Sequence, residues 1–502
     1  MTDATGGREF AAADPATRAI HGADLKRDAI GGLGAFAQGL AAAAPSVALA
    51  IVPVSLFIMA GKGALWAVLI GLVLVALLAT TISFQARRTV TSGSLGTYTG
   101  NGLGPGFAFL SGWSLLIGYI GFATTGVLGG VLYVNAVFDA LGLGSDSQFF
   151  RLALVAGVAF VSLIIPYRGL ALTAKYELIF EIIAIATILV VIIAAYITYG
   201  WQIDYEQFSL SHLNNSLTFY AAVVAVGSYA GFESVAALGA EVRNAHRNIA
   251  RSLLVVVLIL GGLYVLTTYP QILHFNEINT DAAILPALAA QTGVGWITIF
   301  LSVAVSLAYI VFVSALVTAS SRGLFTLARE GALPKVLARV HPQFGTPHVG
   351  ILLVGLITVV FSVIATLSST GRLVFDIYIG YVATYGFLIS YLLVAIATPI
   401  WLYRIKAGTI WHYLVSLAAT LGFGFVVFNN FFFVDEYPLN LLPWYYLLLL
   451  VPGALWYLWL RRTQPATAAR IGSIQTLSPS EQERLTSLGL LKAADEAQSA
   501  TS

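Results

Sequence analysis

Residues 227–234 read GSYAGFES, which places two glycines, small polar residues and the carboxylate of Glu233 inside a segment otherwise apolar enough to span a membrane. An ionisable side chain at membrane depth is costly and generally has a partner or a function. The glycines favour an opened helix, which a membrane tolerates only where the freed backbone groups face protein or a water-filled cavity. The stretch is therefore typical of a binding site built into a membrane bundle.

The composition of the whole chain is that of an integral membrane protein. Of 502 residues, 58% are apolar and 10% are charged, against roughly 45–50% and 25% in soluble domains. The net charge of +2 and the lack of a basic run with interleaved aromatic residues argue against a nucleic-acid partner. The chain has no cysteine, and its seven histidines show no metal-ligand pairing. The sequence therefore predicts neither a metal nor a cofactor.

Hydropathy predicts twelve membrane spans, numbered one to twelve from here on. They lie near residues 31–59, 63–85, 107–138, 150–166, 170–199, 214–240, 252–274, 294–328, 349–367, 374–400, 410–431 and 442–460. If the N-terminus is cytoplasmic, only Lys62, Arg151 and Arg372 of the 25 Lys and Arg residues lie outside. This asymmetry predicts a multi-pass protein of the cytoplasmic membrane with both termini inside the cell.

Two spans interrupt the apolar pattern. Span six is interrupted at 227–231, and span one carries the sequence AAAAPS at 41–46, where Pro45 removes a backbone donor. A proline kink alone is the alternative for span one. Interruptions in corresponding spans of two halves favour an inverted repeat with a site at the membrane midplane. The opened helix ends would offer N–H groups to a carboxylate and carbonyl groups to an ammonium.

Four stretches together resemble the amino acid, polyamine and organocation transporter superfamily, in its bacterial form. They are residues 231–251 (GFESVAALGAEVRNAHRNIAR), 41–50 (AAAAPSVALA), 91–113 and 320–347. The resemblance implies an all-α membrane protein with a leucine-transporter-like fold. This fold has two inverted five-helix repeats, two further C-terminal helices, and discontinuous helices one and six. The chain departs from the family pattern at Ala245 and Ala250, where prolines are expected. At Ala184 it lacks the lysine of some sodium-independent members.

The corresponding organisation of the chain has five parts. These are a cytoplasmic tail at 1–28, a first repeat at 29–205, a second repeat at 206–406, helices eleven and twelve at 407–462, and a cytoplasmic tail at 463–502. Within the last part, Ser478 and Glu481 have the spacing of a helix-capping box, which predicts a short helix to about Leu491.

Three carboxylates are candidates for coupling or gating. Glu233 lies beside the break in span six, and related permeases use an acid there. Glu181 lies in span five, about 17 Å from its cytoplasmic start at 1.5 Å per residue, a depth that suits loading and release of a proton. A structural hydrogen bond is the alternative for both residues. Glu241 faces Arg243 and Arg247 across a short turn. The contact is either an ion pair that holds the inner gate or a surface ion pair that contributes little to stability.

The predicted substrate-binding residues come from the two breaks and from aromatic residues at mid-membrane depth in spans three and eight. The family resemblance adds the expectation of an aromatic gate at Phe232. The full set is Ala43, Ala44, Pro45, Ser46, Tyr119, Tyr229, Ala230, Gly231, Phe232 and Tyr309.

The sequence therefore predicts a secondary transporter of an amino acid or related amine, working by alternating access and coupled to proton symport. Exchange of one substrate for another is the first alternative, and sodium symport is the second. A channel or a transporter-like sensor is the alternative from another class, although charges clustered at breaks disfavour an open pore. An enzyme is not expected, since no nucleophile and base pair, metal cluster or phosphate loop is present.

Overall fold

The structure is a computed structural model, and it describes residues 31–91, 94–145, 147–169, 174–200, 203–238, 242–273, 283–368, 372–472 and 476–477. The predicted N-terminal tail at 1–28, Glu241 and the predicted helix from Ser478 to Leu491 lie outside these residues.

Ten of the twelve predicted spans are continuous helices with bounds close to those expected from hydropathy. They are Ala64–Ala86 (span two), Pro105–Ala140 (three), Gln148–Arg168 (four), Ala174–Tyr199 (five), Ala245–Leu273 (seven), Thr298–Arg329 (eight), His348–Leu367 (nine), Arg372–Arg404 (ten), Ile410–Phe432 (eleven) and Leu442–Thr463 (twelve). The part of the chain that the structure describes holds ten apolar helices of membrane length, as a multi-pass membrane protein requires.

Spans one and six are the two that are interrupted, as the sequence predicts. Span one is the helix Gly32–Ala43, the single residue Ala44 and a second helix Pro45–Ala60. Span six is the helix Ser216–Gly227, a turn, and a 3₁₀ segment Phe232–Leu238. The prediction of two discontinuous helices is confirmed, whereas the division into repeats at residues 205 and 206 stays a prediction.

Shorter elements connect the spans. Three further helices are Ser94–Leu103, Ile284–Gln291 and Pro465–Arg470. Short 3₁₀ segments are Gly61–Gly63, Leu210–Asn214, Gly295–Ile297, Lys335–Ala338 and Leu439–Leu441. Two strands, β1 (Thr89–Val90) and β2 (Thr476–Leu477), pair antiparallel.

The bundle is held together by close contacts between small residues. Span three lies along spans eight and ten, and span seven lies along span two. At Gly386 of span ten, a Cβ atom would fall 2.5 Å from the Ser114 carbonyl oxygen of span three. The Ser114 hydroxyl donates to the Gly386 carbonyl at 2.7 Å and lies 2.7 Å from the Tyr446 hydroxyl of span twelve. Small residues and hydroxyl bonds of this kind are the usual means of helix association in lipid.

The segment after span twelve packs against the end of the bundle at which span three begins. We define the C-terminal strap as the helix Pro465–Arg470, its continuation to Gly472, and strand β2. Strand β2 pairs with β1, which follows span two. Ala468 and Ile471 are buried against Ala108 and Phe109 at the start of span three. The strap therefore connects the segment after span twelve to β1 and to the start of span three.

Candidate functional site

The break in span one is a strained residue followed by a proline. Ala44 has φ 43° and ψ 62°, the left-handed region that residues other than glycine rarely adopt. Pro45 occupies the first position of the next helix, where its missing N–H costs nothing. Because Pro45 has no N–H, Ser46 supplies the first backbone donor of this helix.

Glu181 of span five caps that helix. Its carboxylate accepts hydrogen bonds from the Ser46 backbone N–H and, at 2.9 Å, from the Ser46 hydroxyl. Glu181 is 5% exposed and Ser46 is fully buried. A carboxylate at a helix N-terminus is favoured by both hydrogen bonding and the helix dipole. The contact links span five to the point at which span one is interrupted.

The break in span six lies directly against the break in span one. Gly231 has φ +103°, and a Cβ atom there would fall 2.3 Å from the Ala42 carbonyl oxygen. Only glycine fits both this conformation and this approach. On the other side of the turn, the Tyr264 hydroxyl of span seven donates to the Ser228 carbonyl at 2.6 Å. The paired breaks therefore form one structural unit.

Glu233 is completely buried beside this unit, and its carboxylate accepts hydrogen bonds from spans three, six and ten. The Tyr119 hydroxyl of span three donates at 3.0 Å, the Tyr391 hydroxyl of span ten at 2.9 Å, and the Gly231 N–H at 3.0 Å. The Phe232 ring packs edge-on against Tyr391, with ring centroids 5.9 Å apart. Glu233 thus joins spans three, six and ten.

A cavity of about 90 Å³ lies on the other side of the breaks, towards Ala60 and Arg372. Spans one, three, six, eight and ten provide its walls, which are mostly aliphatic and aromatic. Its polar side chains are Ser55, Thr125, Ser228, Asp376 and Thr384. The volume is several times the roughly 10–15 Å³ that one water molecule needs, so the cavity has room for a small organic molecule.

Asp376 is the one ionisable side chain among the described residues that line the cavity. It is 2% exposed and lies four residues after the start of span ten, about 6 Å along the helix. No basic side chain appears in the described lining.

The predicted binding residues divide into two groups in the structure. Ala43, Ala44 and Ala230 line the cavity. The remaining seven lie outside its lining, in the break or behind it: Pro45, Ser46, Tyr119, Tyr229, Gly231, Phe232 and Tyr309. Of these, Tyr119 binds Glu233, and Tyr309 stacks on Tyr133 with centroids 5.9 Å apart. Their roles in binding stay predictions.

Sequence reasoning missed Asp376 as a cavity residue and Tyr391 as the third partner of Glu233. Asp376 has a sequence signal, because it is an acid within the predicted span 374–400. Tyr391 has no such signal, since buried tyrosines are common in this chain and the contact joins spans far apart in sequence.

A comparison with protein-family models matches residues 30–453 to the amino acid permease family. The chain belongs to this family. The match covers both breaks, the cavity and the Glu233 cluster, and it confirms the resemblance seen in the sequence. The family and the relatives described next are permeases and transporters rather than enzymes, in agreement with the prediction.

Curated relatives are similar at low identity. The low-affinity putrescine importer PlaP of Escherichia coli K12 is 26% identical over 310 residues, which are 57% of this chain and 64% of that protein. The aligned part thus spans slightly less than two thirds of that importer. The branched-chain amino acid permease BcaP of Bacillus subtilis is 23% identical over 354 residues, 65% of this chain and 74% of that one.

The fold is shared with a solved transporter. The crystal structure of MhsT in complex with L-phenylalanine superimposes with a TM-score of 0.56 at 13% identity, covering 78% of this chain and 98% of that one. This similarity confirms the predicted leucine-transporter-like fold.

Proposed function

We propose that the protein is a secondary transporter that carries an amino acid or related amine across the cytoplasmic membrane, with a proton as co-substrate. The observation that carries the proposal is the Glu181 carboxylate bound to Ser46 at the break in span one. The names of the relatives, a putrescine importer and a branched-chain amino acid permease, support this class of cargo.

The asymmetry of the site supports alternating access. Among the described residues, the lining of the cavity extends from the breaks towards Ala60 and Arg372. On the other side, the first helix of span one meets the 3₁₀ segment of span six so closely that a Cβ at Gly39 would fall 2.4 Å from Val235. By the predicted orientation, the cavity is on the extracellular side and the closed contact is on the cytoplasmic side. Transport then requires the closed contact to open while the cavity collapses.

Glu181 is the proposed proton site. An ionised carboxylate accepts both donors of Ser46, and a protonated one must turn one of its oxygens into a donor. Loading a proton therefore changes the bonding between span five and the helix Pro45–Ala60. This change links proton occupancy to the geometry of the break.

Glu233 is the proposed gate residue. All three donors that converge on it require acceptor oxygens, and they come from spans three, six and ten. Opening the side on which spans one and six are in close contact separates some of these three spans and breaks hydrogen bonds to Glu233. The hydrogen bonds to Glu233 therefore stabilise the conformation in which that side is closed.

The test is uptake of labelled amino acid or amine by purified protein in liposomes, with and without an inward proton gradient. We expect Glu181→Gln to lose the acceleration by the gradient and to retain exchange of substrate between equal concentrations. Glu233→Gln should slow both uptake and exchange. The matched control is Glu206→Gln, which removes an exposed carboxylate bound to Lys62 far from the site and should behave as the unaltered protein.

Several results would contradict proton symport. Uptake that requires preloaded internal substrate would indicate an exchanger, and uptake driven by a sodium gradient at equal pH would indicate sodium symport. An unchanged proton response in Glu181→Gln would remove that residue from the coupling role.

A further inference from the structure

A buried aromatic ring lies between the cavity and the residues that bind Glu233. Phe387 of span ten comes three residues after Thr384, which lines the cavity, and four residues before Tyr391, which donates to Glu233. At 1.5 Å per residue, these steps are about 4.5 and 6 Å along the helix. Phe387 is fully buried and is not part of the cavity lining. The ring is therefore at a depth between the two parts of the site.

The Phe387 ring contacts both tyrosines whose hydroxyls donate to Glu233. Tyr119 packs edge-on against it, with ring centroids 5.1 Å apart and ring planes at 84°. The Tyr391 centroid is 6.0 Å away, with ring planes at 52°. Edge-on and inclined contacts at such distances are favourable for aromatic pairs. Phe387 thus restricts the movement of the two rings that hold Glu233 in place.

Phe387 also contacts the wall of the cavity. Its ring stacks on that of Phe122, with centroids 5.3 Å apart and ring planes at 25°. Phe122 lines the cavity and is only partly buried. A molecule in the cavity that touches Phe122 is therefore separated from the two tyrosines by one further ring.

The Phe387 ring has little space in which to move. A Cβ atom at Gly118 of span three would fall 2.7 Å from Cε2 of Phe387. At the neighbouring Gly386, a Cβ atom would fall 2.5 Å from the Ser114 carbonyl oxygen. Closely packed interiors have few voids and transmit displacements. Spans three and ten are therefore held together at Phe387, and the ring cannot shift without moving its neighbours.

We propose that Phe387 is a positioning residue of the Glu233 gate, which holds the Tyr119 and Tyr391 hydroxyls on the carboxylate and links them to the cavity wall through Phe122. This inference rests on the proposed gate function of Glu233. Because spans three and ten are packed together at Phe387, opening of the gate moves Glu233 of span six away from both hydroxyls. Cargo that presses on Phe122 acts on the same hydrogen bonds.

Thiol modification of the full-length protein tests the positioning role without a known cargo, since the chain has no native cysteine. Ala236 is fully buried in the 3₁₀ segment of span six, so Ala236→Cys reports opening of the side on which spans one and six are in close contact. Thr125→Cys, in the cavity lining, reports access to the cavity. The rate at which methyl methanethiosulfonate modifies each cysteine is measured by mass spectrometry in detergent.

Phe387→Leu removes the ring and should shift the two rates in opposite directions. We expect the rate at position 236 to rise roughly fivefold, on the scale of one lost aromatic contact. The rate at position 125 should fall, because the proposed transport cycle closes the cavity when the other side opens. If Phe387→Leu melts at a lower temperature than the parent protein, Phe387→Met, which retains more of the side-chain volume, takes its place. Rates that rise together in Phe387→Met would indicate general loosening and would overturn the inference.

The matched control is Phe109→Leu, which makes the same change at another fully buried position of the bundle. Phe109 packs against Trp113 and Tyr457, near the start of span three. Its replacement should leave both modification rates as they are in the parent protein. Equal effects of Phe109→Leu and Phe387→Leu would contradict a specific role for Phe387.

A double variant tests whether Phe387 acts through the tyrosine hydroxyl. Tyr119→Phe removes one donor to Glu233 and should by itself raise the rate at position 236. Combined with Phe387→Leu, it should raise that rate by less than the product of the two separate factors, because residues that act on one hydrogen bond are not independent. A full product would overturn the positioning role. Phe122→Leu should also raise the rate, and an unchanged rate would remove the link to the cavity wall.

The outcomes separate this inference from the proposed gate. An effect of Tyr119→Phe without one of Phe387→Leu would retain the gate and reject the role of Phe387. No effect of Tyr119→Phe at position 236 would contradict the gate itself and, with it, this inference. Neither result depends on proton coupling, since the modification assay uses no ion gradient.

Discussion

Gly231 is a residue at which the breaks of spans one and six touch, and its replacement gives a clear prediction. In Gly231→Ala, the added Cβ would lie 2.3 Å from the Ala42 carbonyl oxygen in a conformation with φ +103°. Both effects oppose the native contact. We expect loss of transport and a lower melting temperature, measured by liposome uptake and by thermal unfolding in detergent.

Gly262→Ala is the matched control for this change. Gly262 lies in span seven, and a Cβ there would meet nothing within 4 Å. Because alanine is favoured over glycine by about 1 kcal/mol within a helix, this variant should fold and transport as well as the parent protein. Equal behaviour of the two variants would show that the contact between the breaks is not required.

The sequence predicts the residues of the breaks but not the contacts that they make. Glycine and proline mark the interruptions, because each of them changes the allowed backbone conformation at its own position, whatever it contacts in the fold. The bond between Glu181 and Ser46 joins residues 135 apart, and a single sequence records nothing of that pairing. Asp376 lies only four residues after the start of its span, and no adjacent glycine or proline marks it as part of a site.

At the level of elements, the C-terminal strap has a built-in sensitivity to pH. Glu330, at the end of span eight, is held beside the strap, where the Gly472 N–H bonds to its carboxyl group. Burial raises the pKa of Glu330 from 4.5 to about 7, against the opposing effect of that hydrogen bond. In the folded protein with the strap docked, burial outweighs this hydrogen bond, so the protonated carboxyl is favoured. Docking of the strap should be strongest below about pH 4.5 and should lose this contribution as the pH rises through 7.

The absence of native cysteine makes this prediction measurable. Ala468 is buried in the strap and its neighbour Ala469 is exposed. A single cysteine at position 468 therefore reports whether the strap is docked. A single cysteine at position 469 reports the reactivity of an exposed thiol at the same pH. The ratio of maleimide labelling at 468 to that at 469 should rise from pH 5.5 to pH 8. In a Glu330→Gln background, the ratio should stay low at both values. A ratio that does not change with pH in the parent chain would contradict the titration.

Short elements such as the strap lie beyond prediction from sequence. A two-residue strand such as β2 exists only because β1 is opposite, and these strands are almost 400 residues apart in the chain. The long spans are predictable because each helix that crosses the membrane must by itself contain enough consecutive apolar residues to span the hydrocarbon layer.

For the whole molecule, the distribution of Lys and Arg predicts which face is outside, and labelling in intact cells can test it. Ser145 lies in the exposed loop after span three, and Lys335 lies in the exposed segment after span eight. With both termini cytoplasmic, Ser145→Cys should react with a membrane-impermeant maleimide and Lys335→Cys should react only after the cells are broken. The reverse pattern would invert the proposed orientation and the direction in which the cavity opens.

The number and positions of the spans agree with the prediction to within a few residues at most ends. Among the described ends, the largest difference is at span seven, followed by the start of span eight, at Thr298 rather than near 294, and the end of span ten. The helix of span seven begins at Ala245 rather than near 252, and that of span ten ends at Arg404 rather than near 400. Hydropathy detects the apolar part of a helix, whereas these helices continue with polar residues beyond it.

The pairing of β1 with β2 also bears on how the protein is made. Because a ribosome releases the chain from its N-terminus onwards, β1 emerges early and must wait until all twelve spans have been synthesised before its partner exists. Until then, the start of span three lacks the cover that Ala468 and Ile471 later provide. Completion of the strap is thus a late event in biogenesis, and a chain that stops after span twelve would insert its helices while leaving this face unfinished.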